Sequence, residues 1–80
     1  MTIITRAPQP TIAGQRAYLL DSGYTLGRGN DIDAAICRES RCDRCRHAGL
    51  SYEPWRRTRL TDMSYVALAI CPRCEHWEEF

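Results

Sequence analysis

Two pairs of cysteines place the strongest constraint on what this chain can fold into. Two residues separate Cys42 from Cys45 and Cys71 from Cys74, and 25 residues lie between the pairs. Two thiols at this spacing can bind one side of a metal ion, and two such pairs complete a tetrahedral shell of four cysteines. The sequence therefore predicts one structural metal site. Zinc is the expected ion, and iron is the less favoured alternative.

Three further residues could replace one of these ligands. Cys37 precedes the first pair by five residues, and His47 and His76 each follow a pair by two residues. We expect both histidines to lie beside the site or on the surface, and Cys37 to be a small buried apolar residue. Disulfides are the alternative for the five cysteines. The sequence shows no export signal, however, and a reducing cytoplasm favours metal binding.

The spacing and the Cys-Pro-x-Cys form of the second pair resemble the zinc-ribbon class of domains, over residues 42–80. The resemblance implies a three-stranded antiparallel sheet with the metal at one end. The chain departs from the usual pattern at Arg46 and Glu75, where glycine commonly follows the second cysteine of each pair. These positions often need a positive φ, which costs a residue with a side chain about 1 kcal/mol.

A second, weaker resemblance is to rubredoxin. It rests on the two cysteine pairs, on Tyr52 after the first pair, and on the acidic residues that end in Phe80. Rubredoxins carry Gly-Tyr directly after the first pair, where this chain has Arg46 and His47. The resemblance implies an iron-binding electron carrier.

The whole chain predicts a small α+β domain stapled by metal: a three-stranded antiparallel zinc ribbon, one short helix and an N-terminal arm or hairpin. We assign residues 1–14 to an extended arm, 15–41 to the hairpin and the helix, and 42–80 to the ribbon. Gly23 can supply the positive φ that a three-residue hairpin loop needs. A short helix over 16–20 is the alternative to this hairpin.

One helix is expected near residues 31–40. Asn30 is a suitable N-cap, and Asp31 and Asp33 would face the positive end of the helix dipole. A helix of this length is unstable alone in water, so we expect its apolar side to dock on the rest of the domain. That apolar side comprises Ile32, Ala35 and Ile36.

Arginine is concentrated in the middle of the chain. Residues 37–59 contain seven arginines and three carboxylates, whereas residues 60–80 contain one arginine and four carboxylates. A tryptophan among these arginines predicts an exposed hairpin tip that combines charge with a stacking surface, as single-strand nucleic-acid binders do. The predicted contact residues are Trp55, Arg56, Arg57 and Arg59. We therefore expect an interaction module whose tip contacts nucleic acid or a protein complex that handles nucleic acid.

Other classes of function are less favoured by the sequence. A closed shell of four cysteines offers no open coordination position, and no pairing of nucleophile and base is visible, so we expect no catalysis and no small-molecule substrate. The sequence lacks the roughly 18-residue apolar run of a membrane helix, and we expect a cytoplasmic protein. The alternatives are a protein-binding adaptor or inhibitor that uses the helix and the aromatic residues, and the rubredoxin-like carrier.

Overall fold

The computed structural model describes residues 10–80, which form two helices and four strands. In chain order these are α1 (Ile12–Asp21), β1 (Thr25–Leu26), α2 (Asp31–Glu39), β2 (Ser51–Arg59), β3 (Asp62–Ile70) and β4 (Trp77–Glu79). The strands form one antiparallel sheet in the order β1-β2-β3-β4. The small α+β fold is confirmed, but the sheet has four strands, not three, and there are two helices where one was expected. Most of the predicted arm over residues 1–14 lies outside the described residues.

Helix α1 takes the place of the predicted hairpin. Thr11 caps its first turn through its side chain. At its other end the Tyr24 N–H donates to the Leu19 carbonyl and the Gly23 N–H donates to the Leu20 carbonyl, with φ of Gly23 at 90°. This pair of bonds is the Schellman arrangement that ends helices. The positive φ at Gly23 therefore ends a helix, and the hairpin prediction is wrong.

The core lies between α1 and one face of the sheet. The strand register places Trp55, Leu68 and Trp77 on the same face. Ile12 and Leu19 of α1 pack against these side chains and complete the buried cluster. This part of the sheet needs such a cover, because Trp55, Leu68 and Trp77 would otherwise expose apolar surface to water.

Two groups of contacts, one at each end of α1, stabilise the helix on this face. The Arg16 guanidinium binds both carboxylate oxygens of Glu53, with a shortest N···O distance of 2.7 Å. The Trp55 indole donates to the same carboxylate at 2.9 Å. At the other end of the helix, Arg57 lies 4.8 Å from the ring centroid of Tyr24 and donates to a backbone carbonyl of the turn. Both arginines therefore stabilise the position of α1.

Helix α2 covers the opposite face. Its N-cap is confirmed, since the Asn30 side chain accepts a hydrogen bond from the Asp33 N–H at 2.7 Å. The predicted docking side is wrong, because Ile32 and Ile36 are 73% and 50% exposed. The helix instead packs through Cys37, which is buried. The sheet face beneath α2 carries the tyrosines Tyr52 and Tyr65.

Those tyrosines meet across the small side chains of β3. The Tyr52 and Phe80 ring centroids lie 5.9 Å apart, and the Tyr52 hydroxyl contacts the Tyr65 hydroxyl. Ala67 and Ala69 lie on this face between the larger residues. The face is therefore aromatic at its centre and leaves Tyr65 and Phe80 exposed.

The turn of the β2–β3 hairpin differs from the predicted tip. Arg59 pairs with Asp62, so Leu60 and Thr61 form a two-residue turn. Leu60 has a φ of 43° and is fully exposed. Glycine or asparagine is favoured at such a position, and leucine costs on the order of 1 kcal/mol. Residues 55–59, which were predicted to form the tip, belong to β2.

Among residues 10–80, no helix combines the length and the apolar character that crossing a membrane requires.

Candidate metal centre

Four sulfur atoms meet at the end of the β2–β3 hairpin. The Sγ atoms of Cys42, Cys45, Cys71 and Cys74 all lie within 4.8 Å of one another. The Cys42–Cys74 and Cys45–Cys71 distances are both 3.5 Å. A tetrahedral ion with metal–sulfur bonds of about 2.3 Å needs sulfurs separated by about 3.8 Å. The four cysteines are therefore positioned to bind one metal ion.

None of the cysteines is joined to another by a covalent bond. All five are free thiols. A disulfide requires sulfurs separated by about 2 Å, much less than the spacing of these atoms. The disulfide alternative raised by the sequence is therefore absent from this structure.

The first cysteine pair forms a closed turn. The Cys42 N–H donates to the His47 carbonyl, and the Arg46 N–H donates to the Cys42 carbonyl, both at 2.9 Å. The Cys42 sulfur accepts hydrogen bonds from the N–H groups of Arg44 and Cys45, at 3.4 and 3.5 Å. These backbone donors stabilise negative charge on the sulfur, as a thiolate ligand requires.

The second pair repeats this turn. The Cys71 N–H donates to the His76 carbonyl at 2.8 Å, and the Glu75 N–H donates to the Cys71 carbonyl at 3.0 Å. The N–H groups of Cys74 and Arg73 donate to the Cys71 sulfur. The two pairs are therefore structural copies, which the shared Cys-x-Arg-Cys-x-His pattern indicates in the sequence.

Both turns contain a strained residue at the position where glycine is usual. The φ angles of Arg46 and Glu75 are 65° and 64°. The expectation of a positive φ at both positions is confirmed. This conformation turns the chain back so that the two backbone hydrogen bonds of each turn can form. Both side chains are exposed, so the free-energy cost of the positive φ comes from the backbone conformation and not from crowded packing.

The pKa values of the thiols in the cluster are shifted in different directions. Hydrogen bonds from the backbone, first from Cys45, lower the pKa of Cys42. Burial opposes ionisation of Cys71, but hydrogen bonds from the N–H of Cys74 and its neighbours outweigh it and lower the pKa to about 7. At Cys74 the N–H of His76 favours the thiolate, yet burial and the three adjacent thiols raise the pKa to about 12. Four adjacent sulfurs cannot all ionise without a compensating cation, which is what a metal ion supplies.

The three alternative ligands lie outside this cluster. Within residues 10–80, the group of ligand atoms close enough to share an ion consists of the four cysteines. Cys37 is buried on α2, and burial raises the pKa of its thiol. His47 contributes its carbonyl to the first turn. The His76 ring lies 3.5 Å from the Glu78 carboxylate.

The metal centre is reached from solvent on one side. Cys42 and Cys71 are buried, whereas Cys74 is exposed. A cleft of about 340 Å³ borders Cys74 and is also lined by Arg44 and by the beginning of α1. Cys74 is therefore the most accessible of the four sulfur ligands.

The predicted contact residues are not all available at the surface. Trp55 is only 4% exposed and belongs to the core, so its prediction as a stacking surface is wrong. Arg57 is partly buried against Tyr24. Arg56 and Arg59 are exposed. Register explains the difference between Trp55 and Arg56, because alternate residues of β2 face α1. Arg59 is on the same side as Trp55 but lies at the end of the strand, next to the turn.

No protein-family model matches the chain, and no curated protein or solved structure is significantly similar to it. The cysteine cluster and the exposed surfaces are therefore the basis for any assignment of function.

Proposed function

We propose that this protein is a non-catalytic, cytoplasmic interaction module in which one zinc ion holds the ribbon together. Cys42, Cys45, Cys71 and Cys74 would provide the four ligands. Thiolates suit zinc, and a closed shell of four leaves no position for water or substrate. A reducing compartment would keep these cysteines available as thiolate ligands. The role of the ion would be to stabilise the fold.

We further propose nucleic acid as the partner of this module, with the β2–β3 hairpin as the contact. Strand β1 reaches only to Arg56 and β4 only to Leu68. Beyond them, residues 57–66 form a two-stranded ribbon, and no other strand of residues 10–80 lies beside it. A two-stranded ribbon fits the major groove of a duplex, which is about 12 Å wide. We call this ribbon, together with Arg56 at the edge of β1, the distal hairpin (residues 56–66).

The observation that carries this proposal is that two arginines of the distal hairpin are exposed and take part in no ion pair within residues 10–80. Arg56 and Arg59 are exposed. Within residues 10–80 the ion pairs join Arg16 to Glu53 and His76 to Glu78, so neither arginine takes part in one, although Asp62 lies opposite Arg59 in the strand register. A guanidinium without such a partner can bind phosphate oxygens in the bidentate mode.

Salt-dependent binding tests this proposal. A fluorescently labelled duplex and the corresponding single strand are titrated with the metal-loaded protein at several salt concentrations. Replacing Arg56 and Arg59 by alanine should weaken binding and reduce the slope of log K against log [salt] by about 2, since each phosphate contact contributes about 0.9.

The matched control removes the same charge elsewhere. Arg44→Ala with Arg73→Ala changes two exposed arginines of the cysteine turns and should leave that slope unchanged. Absence of binding at low salt, or equal losses in the two double variants, would contradict the hairpin as the contact.

A protein partner is the second candidate, because the distal hairpin also exposes apolar side chains. Leu60 and Met63 are both exposed beside the turn. A partner with an apolar pocket would bury them, as adaptor surfaces commonly do. Binding to tagged protein that survives nuclease treatment and is lost on Leu60→Asn would support this candidate over nucleic acid.

A further inference from the structure

Helix α2 presents a narrow apolar stripe to solvent. Ile32 and Ile36 are large, exposed and one helical turn apart. Ala35 lies between them on the same side of the helix. The opposite side, with Cys37, packs on the sheet. We call Ile32, Ala35 and Ile36 the α2 stripe.

The stripe lies between opposite charges. Asp31 is in the first turn of α2 and Arg38 is in the last, and both are exposed. Seven residues are close to two helical turns, so these side chains lie on the same flank of the helix. Neither takes part in an ion pair within the described part of the chain. Along its exposed side the helix therefore carries an acidic residue, Asp31, then the apolar stripe, and then a basic residue, Arg38.

We propose that the α2 stripe is the contact between two copies of this chain, with the two α2 helices antiparallel about a two-fold axis. The rotation places Ile32 of one copy against Ile36 of the second copy. It also places Asp31 of one copy beside Arg38 of the second copy, and this ion pair occurs twice. We take the partner to be a second copy because, in an antiparallel pair, the acidic end of each α2 helix lies beside the basic end of the other.

Two further features agree with this arrangement. The antiparallel orientation brings opposite ends of the two helix dipoles together. Ala35 at the centre has a short side chain, which permits close approach of the helix axes. Glu39 at the exposed end of the helix falls near the loop that precedes α2 of the second copy, and that loop carries Arg28.

The apolar surface continues beyond the helix. Ile36 and Phe80 line the same cleft of about 240 Å³ beside the end of the sheet. The Phe80 ring is partly exposed there. Side chains of the second copy that extend past the stripe can bury this surface. The inference goes beyond the proposed function, because it holds whether or not the distal hairpin binds nucleic acid.

Oligomeric state tests the inference directly. Sedimentation velocity of the metal-loaded protein over a wide concentration range should show a species of twice the 9.2 kDa chain mass. Ile32→Asp and Ile36→Asp should each give a monomer at concentrations where the unchanged protein is a dimer. Because both side chains are exposed, metal content and the far-UV spectrum should stay unchanged. Leu20→Asp, at an exposed position on α1, is the matched control and should remain dimeric.

Charge reversal tests the orientation of the helices. The D31R chain and the R38D chain should each be monomeric, since each places like charges together. Mixing the two chains restores both ion pairs and should restore the dimer. A protein that is monomeric at every concentration, a Leu20→Asp variant that dissociates like the stripe variants, or a mixture that stays monomeric would overturn the inference.

Discussion

The Sγ atoms of Cys42 and Cys74 lie 3.5 Å apart, although 32 positions separate the two cysteines in the chain. The β2–β3 hairpin accounts for this proximity. Ser51 at the start of β2 is paired with Ile70 at the end of β3, next to the two cysteine turns. Closing a loop of this length costs conformational entropy, which metal–sulfur bonds can offset. We therefore expect the fold to depend on a metal ion.

Removal of the metal should unfold the ribbon. A chelator is expected to lower the melting temperature and reduce the β signal in the far-UV spectrum, because the metal–sulfur bonds that join the two cysteine turns are lost. Cys71→Ser should abolish stoichiometric metal binding. Cys37→Ala is the control and should retain one ion per chain, since Cys37 lies outside the cluster. Melting behaviour that is identical with and without chelator would contradict this prediction.

The identity of the ion can be measured on protein purified under native conditions. We expect one zinc per chain by elemental analysis and no absorption in the visible range. A ferric site with four thiolates is red, so a coloured protein containing one iron per chain would favour the electron carrier. Zinc-substituted and iron-substituted protein should nevertheless melt cooperatively, because both ions can accept four thiolates in a tetrahedral arrangement.

Glycine at the strained turn positions should stabilise the protein. Arg46 and Glu75 have φ angles near 65°. Arg46→Gly and Glu75→Gly should each raise the free energy of unfolding of the metal-loaded protein by about 0.5–1 kcal/mol. Arg44→Gly removes the same charge as Arg46→Gly at a position without positive φ and should not stabilise. Chemical denaturation measures the difference, and equal effects of the two arginine substitutions would count against strain as the cause.

The Arg16–Glu53 ion pair should contribute modestly to stability and depend on pH. Arg16→Ala should lower the free energy of unfolding at neutral pH by no more than about 1 kcal/mol, since the arginine is 44% exposed. The hydrogen bond from Arg16 holds the pKa of Glu53 below its usual value of 4.5. The pair therefore stabilises the fold above that pH, and its contribution is lost as the pH falls through the folded pKa.

A titration of Glu53 checks the pH dependence at the level of the residue. The carboxyl carbon shift of Glu53, followed by NMR while the metal remains bound, should give a midpoint below that of a free glutamate. In Arg16→Ala the midpoint should move upward, though the Trp55 indole still donates to the carboxylate. An unchanged midpoint would show that the ion pair does not set the pKa.

Features that depend on a few neighbouring residues could be predicted from the sequence. The N-cap at Asn30 is one example, because the side chain and the N–H that it accepts from are three residues apart. The positive φ values at Arg46 and Glu75 are another, since the cysteine spacing requires the turn. At Gly23 the sequence indicated the positive φ correctly, but it did not indicate that the residue ends a helix. The same φ can close a hairpin or end a helix, and packing of α1 on the sheet decides between them.

The sequence alone determined that four thiols at this spacing would be brought together, because the geometry of each cysteine turn is local and two such turns suit one ion. Only the tertiary structure decided which side chains are exposed. Strand register placed Trp55 in the core and left Arg56 in solvent, and α2 packs through Cys37, so that Ile32 faces solvent. These outcomes depend on contacts between residues distant in the chain, whose energies no local pattern contains.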